Sequence, residues 1–397
     1  MSTTGSLCDG TMKKLCYRAW SKNEQALERS SSGAVYYELA QKVISEGGYV
    51  FGAAFCEDGT VSFDKAHTRE EVLKLLGSKY VQARTDGTFE EVKRLLTEGN
   101  KVLFCGTPCQ CNGLSAFLRG KGTENLIVAD FICHGVPSEG VWEKYIAWLS
   151  KERKITSLSF RDKRISWGDF GTKIAFDDGT EYFQRHQDDA YMRLFLANRI
   201  LRPSCHRCLA KAGNRSSDIT LGDYWGISGE DAKQGCSVVL LNTDKGKKFL
   251  EAVEDKLDLA AITYDEAVRN NANYFQSCGI PFNRSAVFSA LSDSAETVFA
   301  NPGDYVKSSF PEKVIRKCIR ILRGAMKSRT KVSYLNCGKE KKGFEERALC
   351  CGCGACKAVC PVQAIAMRAD EEGFRYPVVA ESRCIHCGKC SRLCQKV

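Results

Sequence analysis

Cys350-x2-Cys353-x2-Cys356-x3-Cys360-Pro361 and Cys384-x2-Cys387-x2-Cys390-x3-Cys394 are two cysteine runs of the same spacing close to the end of the sequence. Three cysteines at intervals of three let one tight loop direct three thiolates at a single iron-sulfur cube, so the fourth ligand must come from elsewhere. In two-cluster bacterial ferredoxins it comes from the other run. The spacing therefore predicts a small α+β bacterial-ferredoxin-like domain with two 4Fe-4S clusters.

The ligand sets follow from that exchange between the runs. One cluster is assigned to Cys350, Cys353, Cys356 and Cys394, and the other to Cys384, Cys387, Cys390 and Cys360. The alternatives are paired zinc sites and a disulfide framework. Zinc sites usually show two CxxC pairs or mixtures of cysteine and histidine, so the pattern favours iron-sulfur clusters.

A chain of 397 residues can bury a large core and is expected to contain two units. We predict a body over residues 1–332, a polar linker over 333–347 and the ferredoxin-type domain over 348–397. No stretch approaches the roughly 18 apolar residues of a transmembrane helix, and the polar start lacks the apolar centre of a secretory signal. With 22 cysteines, this indicates a reducing, cytoplasmic location in which thiolates bind metal.

The formal charge of +10 suggests a basic protein, but it counts cysteines as neutral. A cubane with four thiolates carries about −2 when oxidised, which reduces the excess, and no nucleic-acid partner follows from it. The positive charge is concentrated in Lys313–Lys331, where apolar residues recur at helical spacing. A docked amphipathic helix is favoured there over a membrane or nucleic-acid arm.

Short apolar runs alternate with helical patterns before this segment, which predicts an α/β body with a mostly buried sheet. The expected strands are Tyr49–Phe55, Lys101–Cys105, Leu126–Cys133 and Ser237–Leu241; the expected helices are 34–46, 70–76, 89–96 and 142–149. Ser30-Ser31-Ser32-Gly33 reads either as a helix N-cap or as backbone N–H groups offered to a cofactor phosphate. Ligands of open α/β sheets bind in the crevice beyond the strand ends.

Four cysteines occupy predicted loop positions beyond strands: Cys109, Cys133, Cys205 and Cys208. If those loops converge, the four thiolates can hold a third 4Fe-4S cluster. A CxxC redox pair, a zinc site and ordinary buried cysteines remain alternatives, and Cys105 or Cys111 can replace Cys109. The other cysteines match no pattern and are interpreted as structural: Cys8, Cys16, Cys56, Cys236, Cys278, Cys318, Cys337 and Cys351.

Several motifs together resemble the beta-subunit family of coenzyme F420 (deazaflavin) hydrogenases and dehydrogenases. They are Ser30-Ser31-Ser32-Gly33, Gly77-Ser78-Lys79-Tyr80-Val81-Gln82, Gly106-Thr107-Pro108-Cys109-Gln110, Cys133-His134-Gly135-Val136-Pro137-Ser138, Phe160-Arg161-x-Lys163 and Asp218-Ile219-Thr220-Leu221-Gly222-Asp223-Tyr224-Trp225-Gly226. The resemblance implies an FAD-containing body beside iron-sulfur clusters. By motif it implies flavin contacts from Ser31, Ser32, Gly33, Lys79, Tyr80 and Gln82. Many relatives place the ferredoxin unit before the body, whereas here it follows.

These features predict an iron-sulfur flavoprotein oxidoreductase that passes electrons between a ferredoxin-like one-electron carrier and a small two-electron substrate. The alternative is a non-catalytic subunit that relays electrons to a partner oxidoreductase. His134 is the candidate proton donor, although a histidine in a tight loop is more often structural. No nicotinamide fingerprint is present, and the sequence leaves the substrate and homo-oligomerisation open.

Overall fold

The computed structural model describes residues 15–211, 213–227, 233–307 and 349–394. Its strands are β1 (Cys16–Ser21), β2 (Tyr49–Phe55), β3 (Val61–Ala66), β4 (Val102–Gly106), β5 (Leu126–Phe131), β6 (Ile155–Asp162), β7 (Gly171–Phe176), β8 (Glu181–Arg185), β9 (Ile219–Asp223), β10 (Ser237–Leu241), β11 (Leu257–Ile262), β12 (Ile365–Ala369) and β13 (Arg375–Val379). Its α-helices are α1 (Glu24–Arg29), α2 (Val35–Ser45), α3 (Arg69–Leu75), α4 (Thr88–Thr97), α5 (Pro108–Leu118), α6 (Glu139–Ser150), α7 (Ala190–Leu196), α8 (Asp244–Glu251), α9 (Tyr264–Arg269), α10 (Arg284–Asp293), α11 (Ala295–Ala300), α12 (Pro302–Val306), α13 (Ala355–Ala358) and α14 (Lys389–Cys394). Short 3-10 helices cover Pro203–Arg207, Glu254–Lys256, Ala272–Tyr274 and Glu381–Arg383.

An eight-stranded mixed sheet forms the centre of the body, in the order β11-β1-β10-β9-β5-β4-β2-β3. β2, β4, β5 and β9 are parallel to one another, whereas the outer pairs are antiparallel. β5 is buried from Leu126 to Asp130, as expected for a strand covered on both faces. Because parallel strands end at the same edge, the segments that follow β4, β5 and β9 meet there.

A second sheet and a group of helices extend the body beyond that edge. β6, β7 and β8 form a three-stranded antiparallel sheet. Its apolar residues pack with α6, α7, α10 and α11 around the fully buried Trp142, Tyr145 and Tyr191. Aromatic rings bury large apolar areas, so this core is the main support of the second layer.

The ferredoxin-type domain packs against the first turns of α5. Its β12–β13 hairpin and helices α13 and α14 share a core with α4 and α5 through Ala355 and Leu393. Gly113 of α5 lies so close to Cys353 that a Cβ there would stand 3.0 Å from the cysteine Sγ. The small domain is therefore seated directly on the body.

The fold class predicted from the sequence is confirmed, and the expected strands and helices are present to within a few residues. One interpretation was wrong: the Gly/Pro-rich segment after β4 is not a loop but the start of α5. Thr107 and Gln110 form a capping box and Pro108 occupies the first turn, which is a helix-start signal. β11, which pairs with β1, was not expected.

Two other expectations have different outcomes. Ser30-Ser31-Ser32-Gly33 does not cap α2, because Ala34 is the N-cap and makes no side-chain capping bond. The predicted linker and the predicted helix Lys313–Lys331 lie outside the described residues. Within the described ranges, no helix is long and apolar enough to cross a membrane.

Candidate metal centres and cofactor site

The two cysteine loops of the small domain have the same backbone shape. In the first loop Gly352 and Gly354 have φ of +68° and +76°; at the matching positions of the second, His386 and Gly388 have φ of +50° and +65°. Successive turns of this kind point backbone N–H groups inward and create a concave site for an anion. An iron-sulfur cube with four thiolates is such an anion, so both loops fit a cluster.

Contacts between the two cysteine loops agree with the prediction that each loop supplies the fourth ligand of the other loop's cluster. The thiol of Cys356 is buried and faces the thiols of Cys350, Cys394 and Cys390; burial first, and then these neighbours, raise its pKa to about 12. Ala364 N donates to the Sγ of Cys360 at 3.3 Å, a bond that stabilises a thiolate. The individual ligand sets remain a prediction.

In the body, the four cysteines proposed for a third cluster line one cavity. Cys109 begins α5 after β4, Cys133 follows β5, and Cys205 and Cys208 come from the segment around the 3-10 helix Pro203–Arg207. The last segment is held beside the second because Arg202 N donates to Val136 O and Ser138 N donates to Ile200 O, each at 2.9 Å. The four cysteines thus share one cavity, and the third cluster itself stays a prediction.

Burial, and to a lesser degree the neighbouring thiols, raises the pKa of Cys133, Cys205 and Cys208 in this cavity. Burial raises the pKa of Cys133 to about 12, and the neighbouring thiols of Cys109 and Cys208 contribute to the shift. Burial and neighbouring thiols also raise the pKa of Cys205. Metal would replace the protons, because a coordinated thiol is deprotonated outright. No described group of three or more Cys, His, Asp or Glu residues is arranged around a single metal ion.

Two cysteines interpreted as structural also reach this cavity. Cys351 lines it, and its thiol lies beside the thiols of Cys109 and Cys353. Cys278 lies close enough to raise the pKa of Cys133, and its Sγ donates to His134 O. For Cys351, the adjacent pair Cys350-Cys351 was the sequence signal that could have indicated a role at the cavity. For Cys278, no sequence pattern indicates one.

Cys105 and Cys111, the alternatives to Cys109 as a ligand of the third cluster, are both less well placed. Cys111 is fully buried under the sheet, and its Sγ contacts the carbonyl oxygens of Gly106 and Ala129. The nearest charged groups to Cys105 are Asp130 and Lys79, and neither cysteine lines the cavity. The geometry favours Cys109 as the ligand from this segment.

His134 also lines the cavity, next to Cys133. Its Nδ1 lies 3.0 Å from Asn273 Nδ2, which donates to it, and its ring meets Phe195 edge-on. Burial lowers the pKa of the imidazole. A neutral, hydrogen-bonded histidine beside the cysteines fits a structural role at least as well as proton donation.

Buried cations surround the thiol sites. The guanidinium of Arg202 is fully buried and makes no ion pair with any described residue, yet it lies near Cys109 and donates to Cys350 O at 2.8 Å. Lys211 donates to Cys133 O at 2.9 Å, and Arg215 lies near Cys208. Arg215 is paired with the buried Asp130 at 3.0 Å. Arg202 and Lys211 form no such pair among the described residues, and the negative charge of the clusters would compensate them.

Arg161 joins three of the motifs that carry the family resemblance. It is buried, and it donates to Ser31 O and Asp223 Oδ2 at 3.0 Å each and to the Tyr80 hydroxyl at 3.3 Å. Trp167 Nε1 donates to the same Ser31 oxygen at 3.0 Å. Motifs that are far apart in the sequence therefore form one site, called here the arginine site.

The predicted flavin contacts have different surroundings in this site. Ser31 Oγ accepts from Ser78 N, Ser32 Oγ donates to Cys236 O, and Gly33 N donates to Ser237 Oγ at 2.9 Å. Gly33 also packs so tightly that a Cβ would overlap Ala19 O. Gln82 instead turns to the small domain and donates to Cys351 O at 2.8 Å.

Lys79 has donors to spare. Its ammonium donates to Leu76 O at 2.7 Å and to Lys74 O at 3.2 Å, which leaves one N–H for another acceptor. Burial lowers the pKa of Lys79 to about 7, although the nearby Cys105 opposes the shift. An amine that changes charge near neutral pH is typical of functional sites.

We expect Lys79→Met to change how stability depends on pH. The unfolded chain keeps the lysine proton up to about pH 10, whereas the folded protein releases it near 7, so the parent gains stability relative to the variant as pH rises across that window. Urea unfolding of both proteins at several pH values measures this. Exposed Lys74→Met is the control and should parallel the parent; a Lys79→Met profile that also parallels it would contradict the prediction.

The comparisons with known proteins agree with the geometry. Residues 99–267 match the family model for the C terminus of the beta subunit in coenzyme F420 hydrogenase/dehydrogenase. Over these residues the body of the chain is similar to this beta-subunit family. Residues 349–396 match the 4Fe-4S dicluster domain, which confirms the ferredoxin-type unit after the body. The chain is therefore an iron-sulfur oxidoreductase of the electron-transfer type.

The family match includes the four cysteines proposed for the third cluster. It also includes Arg161 and Asp223, whereas Ser31, Lys79, Tyr80 and Gln82 precede it. Among solved structures, a chain from the F420-reducing NiFe hydrogenase complex of Methanosarcina barkeri is similar at 16% identity and a TM-score of 0.47, over 71% of this chain and 94% of that one. No curated protein matches the chain.

Proposed function

We propose that this protein is an iron-sulfur flavoprotein oxidoreductase in which electrons move between the ferredoxin-type domain and a flavin in the body through a third 4Fe-4S cluster. The observation that carries the proposal is the convergence of Cys109, Cys133, Cys205 and Cys208 on one cavity. Cys351 of the small domain reaches the same cavity. Cys351 therefore lies on the direct route for electrons from the ferredoxin-type domain to the cavity of the body.

The residues at this boundary hold the two units in register. Arg202 donates to Gln82 Oε1 and to Cys350 O, each at 2.8 Å, while Gln82 donates to Cys351 O. Thr85 donates to Cys353 O at 2.9 Å. Since electron transfer slows steeply with distance, several bonds to one cysteine loop serve to keep the separation between centres short and constant.

An aromatic path leads on from the cavity to the arginine site. His134 meets Phe195 with ring centroids 5.0 Å apart, and Phe195 lies 5.0 Å from Tyr80. Tyr80 in turn contacts Arg161 through its hydroxyl. The proposed flavin site is therefore within a few side chains of the proposed third cluster.

The arginine site fits FAD in three respects. The N-terminus of α2 has no side-chain cap, so its N–H groups suit a phosphate. Arg161 Nε and the Tyr36 hydroxyl are buried without a hydrogen-bond partner among the described residues, and Lys79 has an N–H to spare. Ser31, Ser32, Gly33, Lys79 and Tyr80 would hold the cofactor, and Gln82 would link it to the small domain. When bound, a flavin converts one-electron into two-electron transfer.

Iron and flavin analysis of anaerobically purified protein tests the proposal. We expect about twelve iron atoms per chain, the content of three cubanes, and one FAD. Cys205→Ser combined with Cys208→Ser should lower the iron to about eight, because a cluster cannot form on two remaining cysteines.

The matched control is Cys16→Ser combined with Cys236→Ser, two buried cysteines remote from the cavity, which should keep about twelve. About eight iron atoms in the parent would refute the third cluster. Full iron without flavin would instead support a non-catalytic subunit that relays electrons to a partner oxidoreductase.

A further inference from the structure

A groove of about 790 Å³ lies where the body meets the ferredoxin-type domain. Its body wall is formed by α4 and the end of α5, and its other wall by α13 and the start of α14. The floor is apolar, with Phe117, Leu118, Ala358 and Val359. Neither the third cluster nor the arginine site uses this groove.

The charged residues around the groove are mainly basic. Five basic side chains line it against two acidic ones, Glu90 and Glu98. Arg94 is paired with Glu98 at the groove and with Glu91 beside it. In the described parts of the chain, by contrast, no ion pair involves any of the remaining four: Lys93, Arg119, Lys121 and Lys389. All four are exposed, and the other acidic residue of the lining, Glu90, offsets only one of them, so the rim carries a net positive charge.

The groove also lies beside cluster ligands. Val359 directly precedes Cys360, and Lys389 directly precedes Cys390. Both cysteines are assigned to the same cluster, that of the second loop. A protein bound in the groove would therefore be separated from this cluster by little more than the lining residues.

We propose that this groove is the docking site of an acidic one-electron carrier protein, and that the cluster of Cys384, Cys387, Cys390 and Cys360 is its exchange partner. This rests on the proposed function and adds the surface and the charge of the partner. One electron leaves the reduced carrier and enters the oxidised cluster; no bond or proton is transferred. Redox partners use small interfaces, and complementary charge speeds their encounter.

Charge reversal of the rim tests the docking site. The variant Lys93→Glu/Arg119→Glu/Lys121→Glu is compared with Lys247→Glu/Lys248→Glu/Lys256→Glu, an equal change on exposed lysines near α8, at the far edge of the sheet. The probes are a reduced acidic two-cluster ferredoxin and reduced methyl viologen, with cluster bleaching followed by anaerobic stopped flow. We expect the rim variant to lower the second-order rate constant for ferredoxin at least tenfold at low salt, with a smaller loss at high salt.

The same variant should react with methyl viologen at a rate within twofold of the parent, and the control should react with ferredoxin within threefold. Equal slowing of rim and control variants would overturn the proposal, as would a parent that methyl viologen reduces and the ferredoxin does not. Failure of the proposed third cluster or flavin leaves this test intact, since the electron enters at the ferredoxin-type domain and its two clusters bleach whether or not the body holds further centres.

Cross-linking on the unmodified protein provides an independent measurement should the rim variant fold poorly. A carbodiimide joins carboxylates of the acidic ferredoxin to nearby lysines of the full chain. Cross-links at Lys93, Lys121 or Lys389 support the groove. Cross-links confined to Lys247, Lys248 or other lysines outside it contradict the docking site.

Discussion

Arg202→Met is expected to remove about four of the iron atoms from each chain, the content of one cubane. The guanidinium of Arg202 holds three acceptors at once: Cys350 O and Gln82 Oε1 at 2.8 Å and Arg375 O at 2.7 Å. Methionine fills much of the volume and donates to none of them. A buried acceptor left without a donor costs on the order of 1–3 kcal/mol, so the loop of Cys350 loses its anchor.

The loss of charge acts in the same direction. Arg202 lies near Cys109 of the cavity and contacts the first loop at Cys350 O, so its cation would offset the negative charge of clusters formed on either side. Arg202→Lys keeps that charge but not the planar fork, so it should retain more iron than the methionine variant while still unfolding at lower denaturant concentration.

Iron and labile sulfide analysis, with denaturant unfolding under anaerobic conditions, measures both effects. Arg368→Met on β12 is the matched control, because this arginine is exposed; it should keep the parent's iron content and stability. Parent-like iron and stability in Arg202→Met would show that the small domain does not depend on this anchor.

Arg161→Met should lower the free energy of unfolding by about 3–5 kcal/mol, the usual loss when one partner of a buried ion pair is removed. The carboxylate of Asp223 would lose its partner at 3.0 Å, and Ser31 O would lose one of two donors. The guanidinium also lies 4.0 Å from the centre of the Phe170 ring, so the substitution removes a cation–π contact too. Because three motifs lose their common partner, we expect FAD content to fall as well.

A neighbouring arginine provides the comparison. Arg164→Met breaks ion pairs with Asp162 and Glu181 at the surface, where such pairs contribute about 0–1 kcal/mol. Urea unfolding of the two variants separates the effect of a buried arginine from that of an exposed one nearby in the sequence, and absorbance at the flavin maximum reports the cofactor. Equal destabilisation by both substitutions would exclude the central role of Arg161.

Local signals were sufficient for some elements and insufficient for others. The strand Tyr49–Phe55 and the strand Ser237–Leu241 are continuous apolar runs that no other element explains, and both have the predicted bounds. The prediction that placed Cys109 in a loop was wrong, because the capping box of Thr107 and Gln110 starts a helix there. The sequence around Arg161 does not show whether its side chain is buried, because a buried and a solvated arginine have the same local pattern. Its burial depends on Ser31, Tyr80 and Asp223, which are distant in the chain.

The spacing of the cysteine runs by itself determined the ferredoxin-type domain, because most ligands of such a cluster lie within one tight loop and its geometry is local. The motifs indicated the family resemblance for a related reason, because each of them is a short segment that can be read without the tertiary structure. Only the tertiary structure decided that Cys109, Cys133, Cys205 and Cys208 share a cavity, that Cys351 reaches it, and that Gln82 faces the small domain. Those contacts depend on parallel strands ending at one edge and on the docking of two units, neither of which is encoded in any single segment.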